Sequence, residues 1–208
     1  MHLKSFCFLS VLFVCELSPV LCKQDLVKVS LYYESLCPFC RQFVTQELYP
    51  GYKKIKDFLL IDLVPFGKAN VTKIDGNWEF KCQHGPKECL GNKIQACVLT
   101  KSFQKDSKIG FVYCMMNSSD PGKISIAESC ASNNGILWRD IVDCVQGTQG
   151  DDFLAHYGDV TNDLDPKLTY VPHILFNGIF NATLEDLARD NFFKTVCGLF
   201  NTKPDACN

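Results

Sequence analysis

The spacing of apolar positions changes character along the chain, and each change marks a different kind of element. Apolar and β-branched residues crowd 26–33 (Leu26-Val27-Lys28-Val29-Ser30-Leu31-Tyr32-Tyr33), which predicts a buried first strand. From 38 to 56 the apolar side chains Phe43, Val44, Leu48, Tyr52 and Ile55 recur near helical spacing, so a helix is expected, with a kink or break at Pro50-Gly51. The run Phe58 to Phe66 predicts a second strand, closed by Pro65 and Gly67. Strand, helix, strand in that order predicts a parallel βαβ unit with a right-handed crossover. The stretch from Val71 through Asp75-Gly76 to Phe80 reads as an edge hairpin.

Residues 82–147 turn mostly helical. The pattern predicts helices over Glu88–Phe103, Phe111–Asn117, Ile124–Ser132 and Ile136–Gln146, with 148–158 continuing as another. Asn133-Asn134-Gly135 is a turn signal between two of them. Strand character returns at Tyr170–Gly178. Asn177-Gly178 predicts a primed hairpin turn leading into Ile179–Ala182. A last helix follows from about Thr183 to Cys197, capped by Thr183 or Asn181 and ended by Gly198.

The chain's 208 residues, 47% of them hydrophobic, suffice for one packed domain with an inserted lobe. A net charge of −2 and no basic stripe argue against a nucleic-acid partner. Lys4 precedes an apolar run, Phe6 to Val14, that is too short for a membrane span. With Val20 and Cys22 behind it, residues 1–22 read as a signal peptide cleaved before Lys23. Thirteen cysteines become ten after that cut, an even number suited to an oxidising secretory route. Sequons at Asn70, Asn117 and Asn181 agree with that route and mark candidate glycosylation sites. No later run is long enough to span a membrane.

Two thiols three residues apart, Cys37 and Cys40, sit between the first strand and the first helix. Unpaired N–H groups and the helix dipole at a helix N-terminus favour an anion, so Cys37 is expected as a reactive thiolate. Pro38 suits the first helical turn. In a redox dithiol, Cys37 attacks a substrate disulfide and Cys40 resolves the mixed disulfide. Competing readings are a zinc knuckle completed by Cys82, His84 or Cys89, a purely structural bridge, and a domain of this kind that has lost its activity.

Val171-Pro172, followed by His173, precedes a strand and an Asn-Gly hairpin. In a thioredoxin-like fold this is where a cis-proline faces the dithiol and offers the Val171 backbone to a peptide. The alternative is an ordinary edge-strand proline. His173, beside it, is a candidate for tuning the dithiol. The segment Cys82-Gln83-His84-Gly85-Pro86-Lys87-Glu88-Cys89 is a Gly/Pro turn opening a helix that runs past Asn92 to Cys97. Its plain reading is a disulfide-stapled turn that shapes the substrate side. A sharper one makes His84 a proton shuttle or metal ligand.

These residues resemble the gamma-interferon-inducible lysosomal thiol reductase (GILT) family. Cys82, Gln83, His84, Gly85, Glu88, Cys89, Asn92 and Cys97 match its long signature at every fixed position, with the CxxC of Cys37 and Cys40 upstream. The resemblance implies an α/β thioredoxin-like fold with a disulfide-rich helical insertion at about 82–158 in a single domain spanning 23–208. It implies a soluble glycoprotein that reduces protein disulfides in acidic endosomes and lysosomes, with Cys37 and Cys40 as the redox pair. Pro38-Phe39, inside the pair, is implied to influence reduction potential. No nicotinamide or flavin fingerprint is present, so no bound cofactor is expected, with a small thiol such as cysteine as electron donor; the cysteine spacing, unlike paired zinc ligands, leaves no metal expected. Unfolded, disulfide-containing proteins are the expected partners. A secretory disulfide oxidase or isomerase shares the same site, and a non-catalytic binding module with an inert CxxC is a reading of a different class. Of the disulfide pairs, only Cys197–Cys207 is suggested by proximity; the rest are left open among many pairings.

Overall fold

A computed structural model describes residues 25–208, so the signal-peptide reading of residues 1–22 lies outside the described residues. Strand β1 (Val27–Tyr33) is buried along nearly its whole length because it lies between two neighbours. β2 (Leu59–Pro65) pairs with it in parallel, Val27 opposite Leu59 and Tyr33 opposite Pro65. β5 (His173–Phe176) pairs with its other edge antiparallel, and β6 (Ile179–Phe180) follows β5, giving the order β2-β1-β5-β6. The expected Asn177-Gly178 turn joins the last two strands, with positive φ at both residues (53° and 79°). β3 (Asn70–Ile74) and β4 (Asn77–Lys81) form the predicted hairpin as a separate two-stranded sheet.

The first helical stretch departs from its expected kink. It runs as α1 (Pro38–Gln42), a π-helical segment (Phe43–Leu48) and α2 (Tyr49–Ile55). Pro50 has no N–H, and its ring crowds the carbonyl four residues back. The wider π turn just before it relieves that crowding: Tyr49 N–H reaches back five residues to the Val44 carbonyl. Sequence spacing shows the proline but not this continuous solution.

The lobe comprises α3 (Pro86–Thr100), α4 (Lys105–Asn117), α5 (Ile124–Asn133), α6 (Arg139–Gln146) and α7 (Thr148–Asn162). α4 begins six residues earlier than its apolar pattern predicts, because its first turn, Lys105-Asp106-Ser107-Lys108, is polar and largely outside the core. α6 starts three residues later than expected, after Ile136-Leu137-Trp138. Three disulfides staple the lobe: Cys82–Cys89, Cys97–Cys144 between α3 and α6, and Cys114–Cys130 between α4 and α5. The lobe is packed onto the sheet. α3 and α7 both lie against β2, and Ile94, Met115 and Ile141 share one hydrophobic core with Val29, Leu31 and Leu63.

α8 (Ala182–Cys197) packs on the π segment and α2. Asn181 caps it, its side-chain oxygen accepting the Leu184 N–H at 3.0 Å. α8 is not the uninterrupted helix that its sequence predicts. Asn191 leaves helical geometry (φ −158°, ψ 86°), its side chain recaps the next turn at Lys194 N–H, and the freed Phe192 N–H is taken by Glu47 at 3.1 Å. Cys197–Cys207 ties the end of α8 to the C-terminal turn. Asn70, Asn117 and Asn181 are all exposed. Among the described residues no helix is long and apolar enough to cross a membrane.

Candidate active site

Cys37 is the N-cap of α1, at the carboxyl end of β1, where a topology of this kind places its ligands. Cys37 and Cys40 are the free cysteines among the described residues; every other cysteine there is in a disulfide. That includes Cys82 and Cys89, whose mutual bond removes their thiolates from the zinc knuckle considered above. Cys40 is fully buried, and Cys37 keeps 5% exposure at the floor of a cleft of about 640 Å³.

The two sulfurs are chemically unlike. The Cys40 thiol donates a hydrogen bond to the Cys37 sulfur, the N–H groups of Cys40 and Phe39 add to it, and the charge of His84 favours the anion; together they outweigh burial and hold Cys37 at about 6. Burial, followed by the same hydrogen bond seen from its donor side, pushes Cys40 well above the usual thiol range. The more readily ionised sulfur of the pair is thus the one at Cys37, and the protonated one is at Cys40.

The α3 end of the lobe grips the approach to this pair. Tyr33 O–H donates to Gln95 at 2.6 Å, Ser35 N–H to the Asn92 side chain at 2.8 Å, and Ser35 O–H to the Glu88 carbonyl at 3.1 Å. From α1, Arg41 donates to the carbonyls of Met116 and Ser118 at the end of α4. The signature thus positions the dithiol loop directly: Asn92 and Glu88 hold it, Gln83 and His84 line the cleft, and Cys97 anchors α3 to α6.

Phe39 is 71% exposed and stands at the cleft mouth beside Pro38. Val171 and Pro172 line the same cleft, and the bond between them is cis, as the sequence pattern suggested. His173 goes elsewhere. Its buried ring packs among Tyr32, Tyr170 and Phe180 with Nδ1 3.3 Å from Glu185, and it is not part of the cleft lining.

Two residues that sequence reasoning missed hold the Val171-Pro172 wall. The buried Glu185 carboxylate accepts the Ile174 N–H at 2.8 Å and the Tyr170 hydroxyl, one on each side of the wall. Burial alone would push Glu185 up, but the nearby His173 ring and the bonds from Tyr170 and Ile174 N–H outweigh it and hold the carboxyl below its ordinary value. Arg189, one helical turn on, donates to the Pro172 carbonyl at 2.6 Å. Arg189→Met keeps the stem and removes the bond. We expect it to lower kcat/KM for a protein disulfide about tenfold, mainly through KM, while the rate of Cys37 alkylation is unchanged; steady-state kinetics beside an iodoacetamide time course checks this.

Glu34 is the other residue the sequence did not single out. It directly follows β1, is fully buried, and takes the Lys68 N–H at 2.8 Å. Gly67 makes room for it: φ is +62°, and a Cβ there would stand 2.3 Å from the Glu34 side chain. Glu34, His84 and Glu88 bring donor atoms within 4.8 Å of one another. His84 Nδ1 lies 2.6 Å from Glu88 and 3.4 Å from Glu34, so the ring nitrogen stands between the two carboxylates.

Comparison with known proteins agrees with this geometry. Residues 28–134 match the family described as gamma interferon inducible lysosomal thiol reductase (GILT). The chain belongs to the GILT family. The Carassius auratus gamma-interferon-inducible lysosomal thiol reductase is 38% identical to it over 184 residues, covering 87% of this chain and 72% of the relative. The Mus musculus protein of the same name is 34% identical over 184 residues, covering 88% and 72%. Among solved structures, Chlamydia trachomatis DsbA superposes with a TM-score of 0.56 at 11% identity, covering 79% of this chain and 85% of that one. Reduced DsbA from Mycobacterium tuberculosis gives 0.55 at 15% identity, covering 86% and 85%. At such identities these two likenesses speak for a thioredoxin-like fold. The GILT signature is therefore set on that fold with its turn against the dithiol.

Proposed function

We propose that this GILT-family thiol–disulfide oxidoreductase reduces disulfides of unfolded protein substrates in acidic endosomal or lysosomal compartments, with a small thiol such as cysteine restoring the dithiol. The observation that carries it is the placement of the pair: a free Cys37 at the helix N-cap in an open cleft, its thiol lowered to about 6 by the Cys40 hydrogen bond, over a free, fully buried Cys40. Cys37 attacks one sulfur of the substrate disulfide, forming a mixed disulfide while the other substrate sulfur leaves and takes a proton. Cys40, protonated and buried beside Cys37, then attacks the Cys37 sulfur, and its proton passes to the departing substrate sulfur. The second substrate thiol is released, the substrate has gained two electrons, and Cys37–Cys40 is a disulfide. Two equivalents of small thiol reverse that oxidation.

Acid sets the demand on Cys37. An ordinary thiol near 8.5 is about one part in ten thousand thiolate at about pH 4.5, whereas one near 6 is roughly 3% thiolate. Exposed Asn70, Asn117 and Asn181 suit glycans, and Asn181 caps α8 through its oxygen, leaving its amide nitrogen for the sugar. The test is insulin reduction with cysteine as donor from pH 4 to 8, beside the reduction potential of the pair. Measurable turnover at about pH 4.5 supports the proposal. No turnover in acid, together with a strongly oxidising potential near that of DsbA at about −120 mV, replaces it with a secretory disulfide oxidase.

A further inference from the structure

The stapled turn of the signature does more than shape the cleft. It delivers His84 and Glu88 to Glu34, so that three titratable side chains from two distant parts of the chain meet beside the redox pair. Both carboxylate side chains have no exposure, while His84 is partly open to the cleft. Glu88 grips His84 twice, accepting its backbone N–H at 3.0 Å and its Nδ1–H at 2.6 Å. The Cys82–Cys89 bond closes the loop around that grip. The ring nitrogen then faces Glu34 Oε2 at 3.4 Å, and that oxygen has no hydrogen-bond partner among the described residues. A buried, unpartnered carboxylate oxygen is costly as an anion and tolerable as an acid.

We infer that His84, held by Glu88 and the Cys82–Cys89 staple, is the cationic positioning partner of the Cys37 thiolate, and that Glu34 beside it takes up a proton in acid, so that the charge around the dithiol becomes less negative as the pH falls. This rests on Cys37 and Cys40 being the redox pair. It gives the family signature an electrostatic role.

The surrounding charges fit that assignment. Glu34 is faced by Cys37 and Cys40 from α1, by Glu88 from α3, by His84 from the stapled turn, and by the Lys68 N–H from the turn after β2. Cys37 is faced by Cys40, His84 and Glu34, and its cleft is also lined by Glu47, Lys68, Arg189 and Asp190. Burial pushes the Glu34 carboxyl up to about 7; Glu88 and Cys37 push the same way, while the Lys68 N–H and His84 oppose them. The sign follows. Below about 7 Glu34 is neutral and puts no negative charge beside the thiolate. Above it, Glu34 is a second anion that opposes the first.

The rate of Cys37 alkylation by iodoacetamide, followed by mass spectrometry on the reduced protein from pH 4 to 8, tests this without any substrate. His84→Gln is expected to move the midpoint upward and slow alkylation at pH 5 by about three- to tenfold. Glu88→Gln is expected to act in the same direction. His84→Lys, which restores a cation, is expected to recover most of the rate, and Glu34→Gln to shift the midpoint down, an unchanged or raised midpoint there overturning the role given to Glu34. Circular dichroism and thermal melts verify that each variant is folded. An unchanged rate in His84→Gln overturns the inference, as does an equal loss in folded His84→Gln and His84→Lys, which would mark a merely structural histidine. A protein that reduces no disulfide yet keeps the His84-dependent midpoint would overturn the proposed function and leave this inference standing.

Discussion

Cys37→Ser lowers protein-disulfide reduction by about a thousandfold or more, because a serine hydroxyl cannot ionise near neutrality and has no sulfur to form the mixed disulfide. Cys40→Ser gives a different failure. Cys37 keeps its nucleophile, with a serine hydroxyl in place of the Cys40 thiol as the side-chain donor to its sulfur. The mixed disulfide forms and is not resolved, so covalent complexes with a scrambled or reduced-and-reoxidised protein substrate accumulate. Non-reducing gels and mass spectrometry of the trapped species check both outcomes. The burial of Cys40 keeps its sulfur from solvent and against Cys37, which suits it to resolve a mixed disulfide on Cys37. If Cys37→Ser retained full function and Cys40→Ser trapped nothing, the chain would be a binding module with an inert CxxC, the reading of a different class that the sequence left open.

Loss of the Cys97–Cys144 bond is the largest stability change expected among the lobe disulfides. It closes a separation of 47 residues, against 7 for Cys82–Cys89 and 16 for Cys114–Cys130. Loop-closure entropy then gives about 4 kcal/mol for Cys97–Cys144 and about 2.5 kcal/mol for Cys82–Cys89 at 25 °C. Domains of this size are stable by roughly 5–15 kcal/mol, so the double variant Cys97→Ala, Cys144→Ala keeps only part of its margin. Both sulfurs lie in the core where α3 meets α6, so little compensating relaxation is available. Urea unfolding of the double variant beside the parent, with Cys82→Ala, Cys89→Ala as the smaller comparison, reads the difference. The second pair has a separate consequence: because its loop carries His84, its removal should alter Cys37 alkylation more than its modest stability cost suggests.

Much of this site was legible in the chain. Cys37 and Cys40 are i and i+3 at a strand-to-helix junction, so local geometry alone brings the sulfurs together. The Val171-Pro172 wall was readable because a strand and an Asn-Gly hairpin follow it directly. His84 was harder. It stands 47 residues from Cys37, and only the packing of the stapled turn onto the end of β1 shows that the two interact. Glu34 was hidden in plain view, since a lone glutamate after an apolar strand is usually solvated; its burial depends on Gly67 and on the lobe closing over it. Arg189 reached the cleft from a helix whose break at Asn191 no spacing announced.

Sequence by itself determined the elements and the chemistry: the periods of strand and helix, the dithiol at a helix tip, the primed turn at Asn177-Gly178, and the short Cys197–Cys207 closure. These depend on interactions among residues near one another in the chain, where backbone geometry leaves few choices. Tertiary structure alone decided which lobe cysteines pair, how the Pro50 region stays helical, and that Glu34, His84 and Glu88 converge beside Cys37. The cost of closing a loop grows only slowly with its length, so spacing scarcely ranks the distant partners. Packing does, because burying a carboxylate or a thiol is tolerable only where the fold also supplies its partner.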